Sequence, residues 1–297
     1  MKILLFFSLL LSFTCSAETK LIILGSGTPN PNPERSASAY AVIVDETAYL
    51  IDFGPGVIRR AAALSTDWGG PFSSLNAANL EYAFLTHIHS DHSAGLADLI
   101  LSPWVLGRNN KLKLYGPKGL QAMVNSVSEA YKEDIDYRIN GSQPSNDRGY
   151  KVTFNQLFEG VVFKNDHLTV EAFLVNHGEL EDSFGFRFQT KDKTIVFSGD
   201  TGPSKTIEKY AYNVDILVHE VYSLEGFLKK TKEWQIYHKA HHTSTIEVAE
   251  LARKTTPKKL VLSHILFWGS TREKILKEVK DNYDGEVLIA EDLMVID

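Results

Sequence analysis

The sequence has one cysteine, Cys15. That excludes a disulfide framework and a cysteine-rich zinc module. Its only long apolar run lies within Ile3–Phe13, about 11 residues, where a bilayer-spanning helix needs roughly 20. There is no excess of basic charge: 31 Lys and Arg stand against 37 Asp and Glu, a net −6. No overall positive field therefore favours nucleic acid. Low-complexity tracts and short repeats do not occur. The rest is ordinary globular composition, 43% hydrophobic and 23% charged. A length of 297 residues suggests two domains or two half-domains.

The opening MKILLFFSLLLSFTCSA has Lys2, the apolar run and then small residues. This is the shape of a secretory leader. Cleavage after Ala17 would leave a chain of residues 18–297, exported to a periplasm or out of the cell, with no membrane segment of its own. Lipidation of Cys15 is the weaker alternative, because Phe13 is bulky where such sites usually have small side chains.

Lys20–Leu24 reads as a strand ending in Gly25-Ser26-Gly27, and Pro29, Pro31 and Pro33 then force an extended loop. Tyr40–Val44 and Ala48–Asp52 flank Asp45-Glu46 as a hairpin. A helix is expected at 57–64, strands at 82–85 and 112–115, and a helix at 120–131. Residues 133–150 are polar and turn-rich and mark the internal boundary, giving halves of about 18–150 and 151–297. The second half predicts strands at 151–154, 160–163, 168–175, 184–189, 194–198, 214–218, 259–263 and 286–290. Its helices are expected near 204–210, 245–254 and 271–281. Two such halves, strands early and helices late, pack as an α/β fold of four layers, αββα.

The strongest chemical signal is Thr86-His87-Ile88-His89-Ser90-Asp91-His92, which holds three of the chain's 10 histidines. A strand ending at 85 sends His87 and His89 to one side, and the turn into the next helix brings Asp91 and His92 round. Imidazole and carboxylate suit zinc and similar divalent ions. Other candidates also follow predicted strands: His177 after 168–175, Asp200 after 194–198, and His264 after 260–263. Sheets gather ligands at such ends.

These segments, with Asn176-His177-Gly178, Ser198-Gly199-Asp200-Thr201 and Ser263-His264, resemble the metallo-β-lactamase fold hydrolases over about residues 20–297. The resemblance implies that His87, His89 and His177 hold one metal and that Asp91, His92 and His264 hold the second. Asp200 would bridge them. Two zinc ions are expected, with manganese or iron as alternatives. Such a pair lowers the pKa of a shared water, so that hydroxide attacks an electrophilic centre, and it neutralises the developing oxyanion. Asp91 would also orient the nucleophile.

Gly25–Pro29, the FSGDT at 197–201 and His242-Thr243-Ser244 are similar to ribonuclease Z. That likeness implies that His242 lies over the scissile group as a proton donor and that Glu220 supports it. Ser244–Glu247 also fits a capping box, so Thr243 and Ser244 have a helix-starting role available. His241 reads as a surface or supporting residue, and His167, His219 and His238 as structural or exposed. Ribonuclease Z carries a long arm for transfer RNA between its third histidine ligand and the bridging aspartate. Here that interval, 177 to 200, is filled by two plain strands, so a nucleic-acid partner is not expected.

The closer likeness is to the exported arylsulfatase-like members of the fold. It rests on Gly27-Thr28-Pro29 with Pro31, Pro33 and Arg35, on Asp52–Val57 with Arg59-Arg60, on residues 89–104 with Arg108, and on Tyr115-Gly116-Pro117. Ala130-Tyr131 and Asp134-Ile135 to Arg138 continue it. Trp104, Arg108, Tyr131, Phe267 and Trp268 are then the specificity candidates, an arginine being able to clamp a sulfate or phosphate. The expected activity is hydrolysis of small sulfate or phosphate esters, sulfatase-like slightly ahead of phosphodiesterase. Lactone or carboxyl-ester hydrolysis is the alternative, and a metal-binding protein without turnover is a third reading. A homodimer is the expected assembly on general grounds alone.

Overall fold

The computed structural model describes residues 18–297. The predicted leader, with Cys15 and the cleavage point after Ala17, lies outside the described residues. In chain order the elements begin β1 (Lys20–Gly25), β2 (Ala39–Val44), β3 (Thr47–Ile51), α1 (Val57–Ala63), β4 (Tyr82–Phe84), α2 (Ser90–Ser93) and α3 (Leu96–Val105). Next come β5 (Leu112–Gly116), α4 (Leu120–Ala130), α5 (Lys132–Asn140), β6 (Val152–Gln156), β7 (Gly160–Lys164), β8 (Leu168–Leu174), β9 (Phe184–Thr190) and β10 (Thr194–Phe197). The chain ends with α6 (Lys205–Tyr210), β11 (Ile216–Tyr222), α7 (Leu224–Leu228), α8 (Lys232–His241), α9 (Thr245–Thr255), β12 (Lys259–Leu266), α10 (Arg272–Lys280), β13 (Glu286–Ile289) and β14 (Val295–Ile296). No helix among the described residues is long and apolar enough to cross a membrane.

The strands form two seven-stranded sheets among the described residues, ordered β14-β1-β2-β3-β4-β5-β6 and β13-β12-β11-β10-β9-β8-β7. Each sheet starts antiparallel, in β1–β3 and β7–β10, and continues parallel, in β3–β6 and β10–β13. Most of the parallel steps cross over through helices, and these cover the outer faces. The result is the expected αββα metallo-β-lactamase sandwich.

Burial on both faces explains why β1 is apolar from Leu21 to Leu24. Leu21 and Ile23 join the core between the sheets, while Ile22 and Leu24 join the core under α1, α3 and α4. A third cluster, with Val196, Leu217 and Leu262, packs the second sheet on α6, α9 and α10. Phe84, the last residue of β4, stacks on Tyr115 at 4.6 Å and meets Phe188 edge-on at 5.5 Å. Truncating such a ring costs about 3–5 kcal/mol, so the strand feeding the His87–His92 segment is firmly rooted.

Two expectations need correction. Residues 133–150 are not wholly turn: α5 occupies Lys132–Asn140, with Ile135 buried and Arg138 bonding Asp134 one turn back at 2.9 Å. The divide at 150 also shifts. β6 still pairs with β5, so the change of sheet falls at 157–159, and β14 returns to pair with β1. Polarity there marks an exposed helix and loop rather than a boundary between cores.

Candidate metal centre

β4 belongs to the first sheet; β8, β10 and β12 belong to the second. The segments after β4, β8 and β10 deliver His87, His89, His177 and Asp200 to one place, and the first turn of α2 adds Asp91 and His92. His264 comes from within β12, where pairing with β11 skips it: Ser263 faces Glu220, and Ile265 faces Val221. This bulge, with φ 45° at His264, turns the ring toward the site. Gly199, at φ 61°, makes the turn before Asp200; a Cβ there would come within 2.7 Å of the Phe184 carbonyl.

Two donor sets result. His89 Nδ1 lies 3.1 Å from His87 Nε2 and 3.2 Å from His177 Nε2. In the second set, Asp91 Oδ2 lies 3.0 Å from His264 Nε2 and 3.5 Å from His92 Nε2. Asp200 Oδ2 stands between the sets, 3.5 Å from His92 Nε2, 3.5 Å from His264 Nε2 and 3.9 Å from His87 Nε2. Donors about 2.0–2.1 Å from a tetrahedral ion are about 3.3 Å apart, so both sets have the spacing of a ligand shell.

The supporting bonds fix which nitrogen faces inward. His177 Nδ1 donates to the His241 carbonyl at 2.8 Å, His92 Nδ1 to Asp52 at 2.7 Å, and His87 Nδ1 lies 3.0 Å from Thr86 Oγ1. Each leaves Nε2 free as a donor to an ion. His92 Nε2 is buried and has no hydrogen-bond partner, which is costly unless something positive sits beside it.

The electrostatics agree. Burial pushes His87 well below the usual histidine pKa and lowers His177 to about 4; His89 is lowered by burial as well. Neutral imidazole is the ligating form. Burial opposes charge on His92, but Asp200, Asp52 and Asp91 outweigh it and hold its pKa well above the usual value. His264 is raised against burial by Asp200 and Asp91. The carboxylates thus demand positive charge, and a divalent cation satisfies that demand.

His242 follows α8 and borders a cavity that also exposes His89, Asp91, Asp200 and His264, its ring 6.1 Å from that of His264 and nearly parallel to it. Burial lowers its pKa to about 4. Glu220, on β11, lies 3.5 Å from His242 Nδ1 and accepts from Thr243 N at 2.8 Å. Burial first, and then the Asp200 charge, raise the Glu220 pKa well above the carboxylate range. Ser244 forms the capping box of α9 with Glu247, so the helix-starting role falls to Ser244 while His242 faces the cavity.

Every sequence-predicted site residue is therefore brought together, but the specificity candidates divide. Arg108 is fully buried and donates to the carbonyls of Leu80, Leu99, Ile100 and Gly149 at 2.8–3.1 Å; it clamps the fold and reaches no substrate. Trp104 is core and bonds the Asn146 carbonyl. Tyr131 lines a separate groove beside α3 and α5, and Phe267, with Arg35, lines an adjoining cavity that shares Asn30 and Trp268 with the site. Trp268 lines the site cavity.

His238, read as structural or exposed, lines that cavity too, and His241 orients His177. His167 is exposed and pairs with Asp45, while His219 is buried against the Glu220 carbonyl, away from the donors. Asp52 was missed as a site residue. It accepts from Thr86 N and Thr86 Oγ1 as well as His92, and its φ of 58° is the one local sign that a following glycine-rich turn could have given.

A family model described as the beta-lactamase superfamily domain matches residues 47–265. A ribonuclease Z of Mycobacterium sp. (strain KMS) is 30% identical over 247 residues, 82% of this chain and 83% of its own. Among solved structures, the metallo-β-lactamase fold protein YhfI from Bacillus subtilis superposes with a TM-score of 0.72 at 18% identity, covering 94% of this chain and 98% of its own. Zinc-bound PqqB from Methylobacterium extorquens gives 0.67 at 18% identity, with 94% and 99% covered.

Proposed function

The chain belongs to the metallo-β-lactamase superfamily of hydrolases, and from that premise we propose that it cleaves a small phosphate ester, a phosphodiester before others, with two divalent metal ions, zinc first. The carrying observation is the position of Asp200 Oδ2, within 3.9 Å of one donor set and 3.5 Å of the other. His87, His89 and His177 would hold one ion, Asp91, His92 and His264 the second, with Asp200 shared.

Bound there, the ions supply Lewis acidity and an activated water. Asp91 lines the cavity beside them and orients the attacking water. Neutral His242 would give its Nε2 proton to the leaving oxygen, and Glu220, kept protonated by burial and 3.5 Å from His242 Nδ1, would return a proton there. The ribonuclease Z relatives, by their name, cut phosphodiesters, which supports that ester class. The turn joining β9 to β10 spans only residues 191–193. With a net charge of −6, it supports a small substrate over a folded RNA. Lys230 in the cavity wall supports an anionic ester over a lactone. The leader read in residues 1–17 supports export.

The test is a rate comparison on zinc-loaded protein: bis-p-nitrophenyl phosphate, p-nitrophenyl sulfate and a precursor transfer RNA. Faster diester cleavage, abolished by chelator, is the expected result. Faster sulfate cleavage would move the assignment to the arylsulfatase-like reading, and RNA processing would overturn the small-substrate claim.

A further inference from the structure

We propose that the cavity wall built by Lys230, Trp234, Tyr237, His238 and Trp268 is a subsite for a planar aromatic leaving group carrying an anionic substituent. This rests on the hydrolytic reading above and names its substrate class. The cavity, of about 330 Å³, has His89, Asp91, Asp200, His242 and His264 on it, so its remaining wall borders the reacting centre directly.

That wall is aromatic without being core. Trp234 is 54% exposed and Tyr237 40% exposed, which leaves apolar ring surface facing water beside a polar floor. The Trp234 ring lies at 21° to His238, 5.4 Å away, and His238 in turn sits 4.3 Å from Trp268. A flat guest in this cavity meets aromatic side chains on its wall, and such aromatic pairs add to the gain from area burial.

Trp268 is held where a bulky residue seldom sits. Its φ is 44°, a conformation costly for a large side chain. Tyr222 packs against it at 5.5 Å, and α7 approaches so closely that a Cβ on Gly226 would fall 2.9 Å from the Trp268 Cβ. The fold thus maintains a strained backbone that presents an indole to the cavity.

Lys230 supplies the charge. Its Nζ lies 4.7 Å from the Trp268 ring centre. Neighbouring Lys229 is paired with Glu225 at 2.6 Å, whereas Lys230 makes no ion pair among the described residues. An ammonium over the Trp268 face at the cavity wall fits a guest ring whose substituent is a carboxylate, sulfonate or phosphate. With the ester at the two donor sets, the ring falls toward Trp268 and the leaving oxygen toward His242.

The test is calorimetric titration of zinc-loaded protein with methylphosphonate, phenylphosphonate and 4-carboxyphenylphosphonate. Phenylphosphonate should bind at least about tenfold tighter than methylphosphonate, and the carboxyl group should add a further several-fold. Trp268→Ala should remove most of the phenyl preference. Trp234→Ala, on the exposed side of α8, should weaken it even if the Trp268 variant fails to fold. Lys230→Gln should abolish the carboxylate gain and keep the phenyl preference. Equal affinity for phenyl and methyl ligands in the unmodified protein, or a preference undiminished in both tryptophan variants, overturns the proposal. Because these ligands are not cleaved, absence of turnover on every ester would count against the hydrolytic reading alone.

Discussion

Asp52→Asn isolates what a carboxylate behind a histidine does. The Asp52 carboxylate accepts from His92 Nδ1 at 2.7 Å, from Thr86 N at 2.8 Å and from Thr86 Oγ1 at 2.9 Å. Asparagine has the same shape, tolerates the φ of 58° at this position, and keeps one oxygen for Thr86. What it loses is the acceptor facing His92. An amide NH2 there donates to Nδ1, which moves the ring proton to Nε2, the atom that faces Asp91 and Asp200. A protonated Nε2 cannot ligate. Losing such a partner typically costs 10–100-fold in metal affinity, about 1.4–2.7 kcal/mol. The loss should fall on the second ion only, because asparagine keeps the oxygen that holds Thr86 beside His87, and His177 is held by the His241 carbonyl. Zinc competition against a chromogenic chelator should show one site unchanged and one weakened, with thermal melting of the metal-free protein little altered. Two sites of unaltered affinity would refute the tautomer argument.

Other outcomes follow from the same geometry. Asp200→Ala should lose at least one metal and nearly all turnover, read by metal content and rate together; full occupancy with normal rates would end the bridging assignment. His242→Ala should keep both metals and slow turnover by about 10²–10⁴-fold, whereas unchanged kinetics would make it a cavity lining only. Arg108→Ala should destabilise by at least about 3 kcal/mol, since several buried carbonyls lose their donor, and leave KM for any substrate unchanged in the folded fraction; chemical denaturation and kinetics separate the two. Asp192 binds Thr19 through its backbone N and Oγ1 at 3.0 and 2.6 Å. Burial opposes its charge, but these bonds outweigh it and depress the pKa. A depressed carboxylate stabilises above its unfolded pKa and loses that contribution as pH falls through the folded one. Asp192→Asn should therefore cost about 1–2 kcal/mol at pH 7, with the difference from the unmodified protein shrinking below about pH 4; a difference that holds constant into acid would refute it.

The donors were legible because a ligand must be a particular residue type at a strand end, and His87–His92 concentrates four of them after one buried strand. Burial on both faces likewise made the strands legible as apolar runs. Elements 219–244 were not legible. α8 reads KEWQIYHKAH with exposed Trp234, Ile236 and Tyr237, so no buried stripe of helical period marks it. α5 was hidden for the same reason, its charges reading as a linker. Arg108 misled in the opposite sense: an arginine near a motif suggests anion binding, yet the carbonyls of Leu99, Ile100 and Leu80 surround it, and no one-dimensional signal announces carbonyls turned inward.

The illegibility of α8 has a cause that bears on specificity. Sequence pattern reports which side chains leave water when the chain folds, because that burial is periodic. It does not report surfaces that wait for a ligand to bury them. The wall of Trp234, Tyr237 and Trp268 belongs to the second kind, and so its residues look like ordinary surface or ordinary core according to the neighbours counted. Trp268 carries a different mark, a backbone at φ 44° in a bulky residue. Strain of that sort persists only where surrounding packing over-determines it, here through Tyr222 and Gly226. His264 and Asp52, at φ 45° and 58°, bear the same mark for a ligand and for the residue that orients one. Three non-glycine residues at positive φ thus stand around one site, two through the donors and one through the wall. Trp268→Gly relieves the strained backbone but also removes a ring packed on Tyr222 and His238, so stability should fall whatever the strain is for; the deciding readout is aryl affinity in the folded fraction, which a ligand-facing indole predicts to drop and a purely structural one to keep.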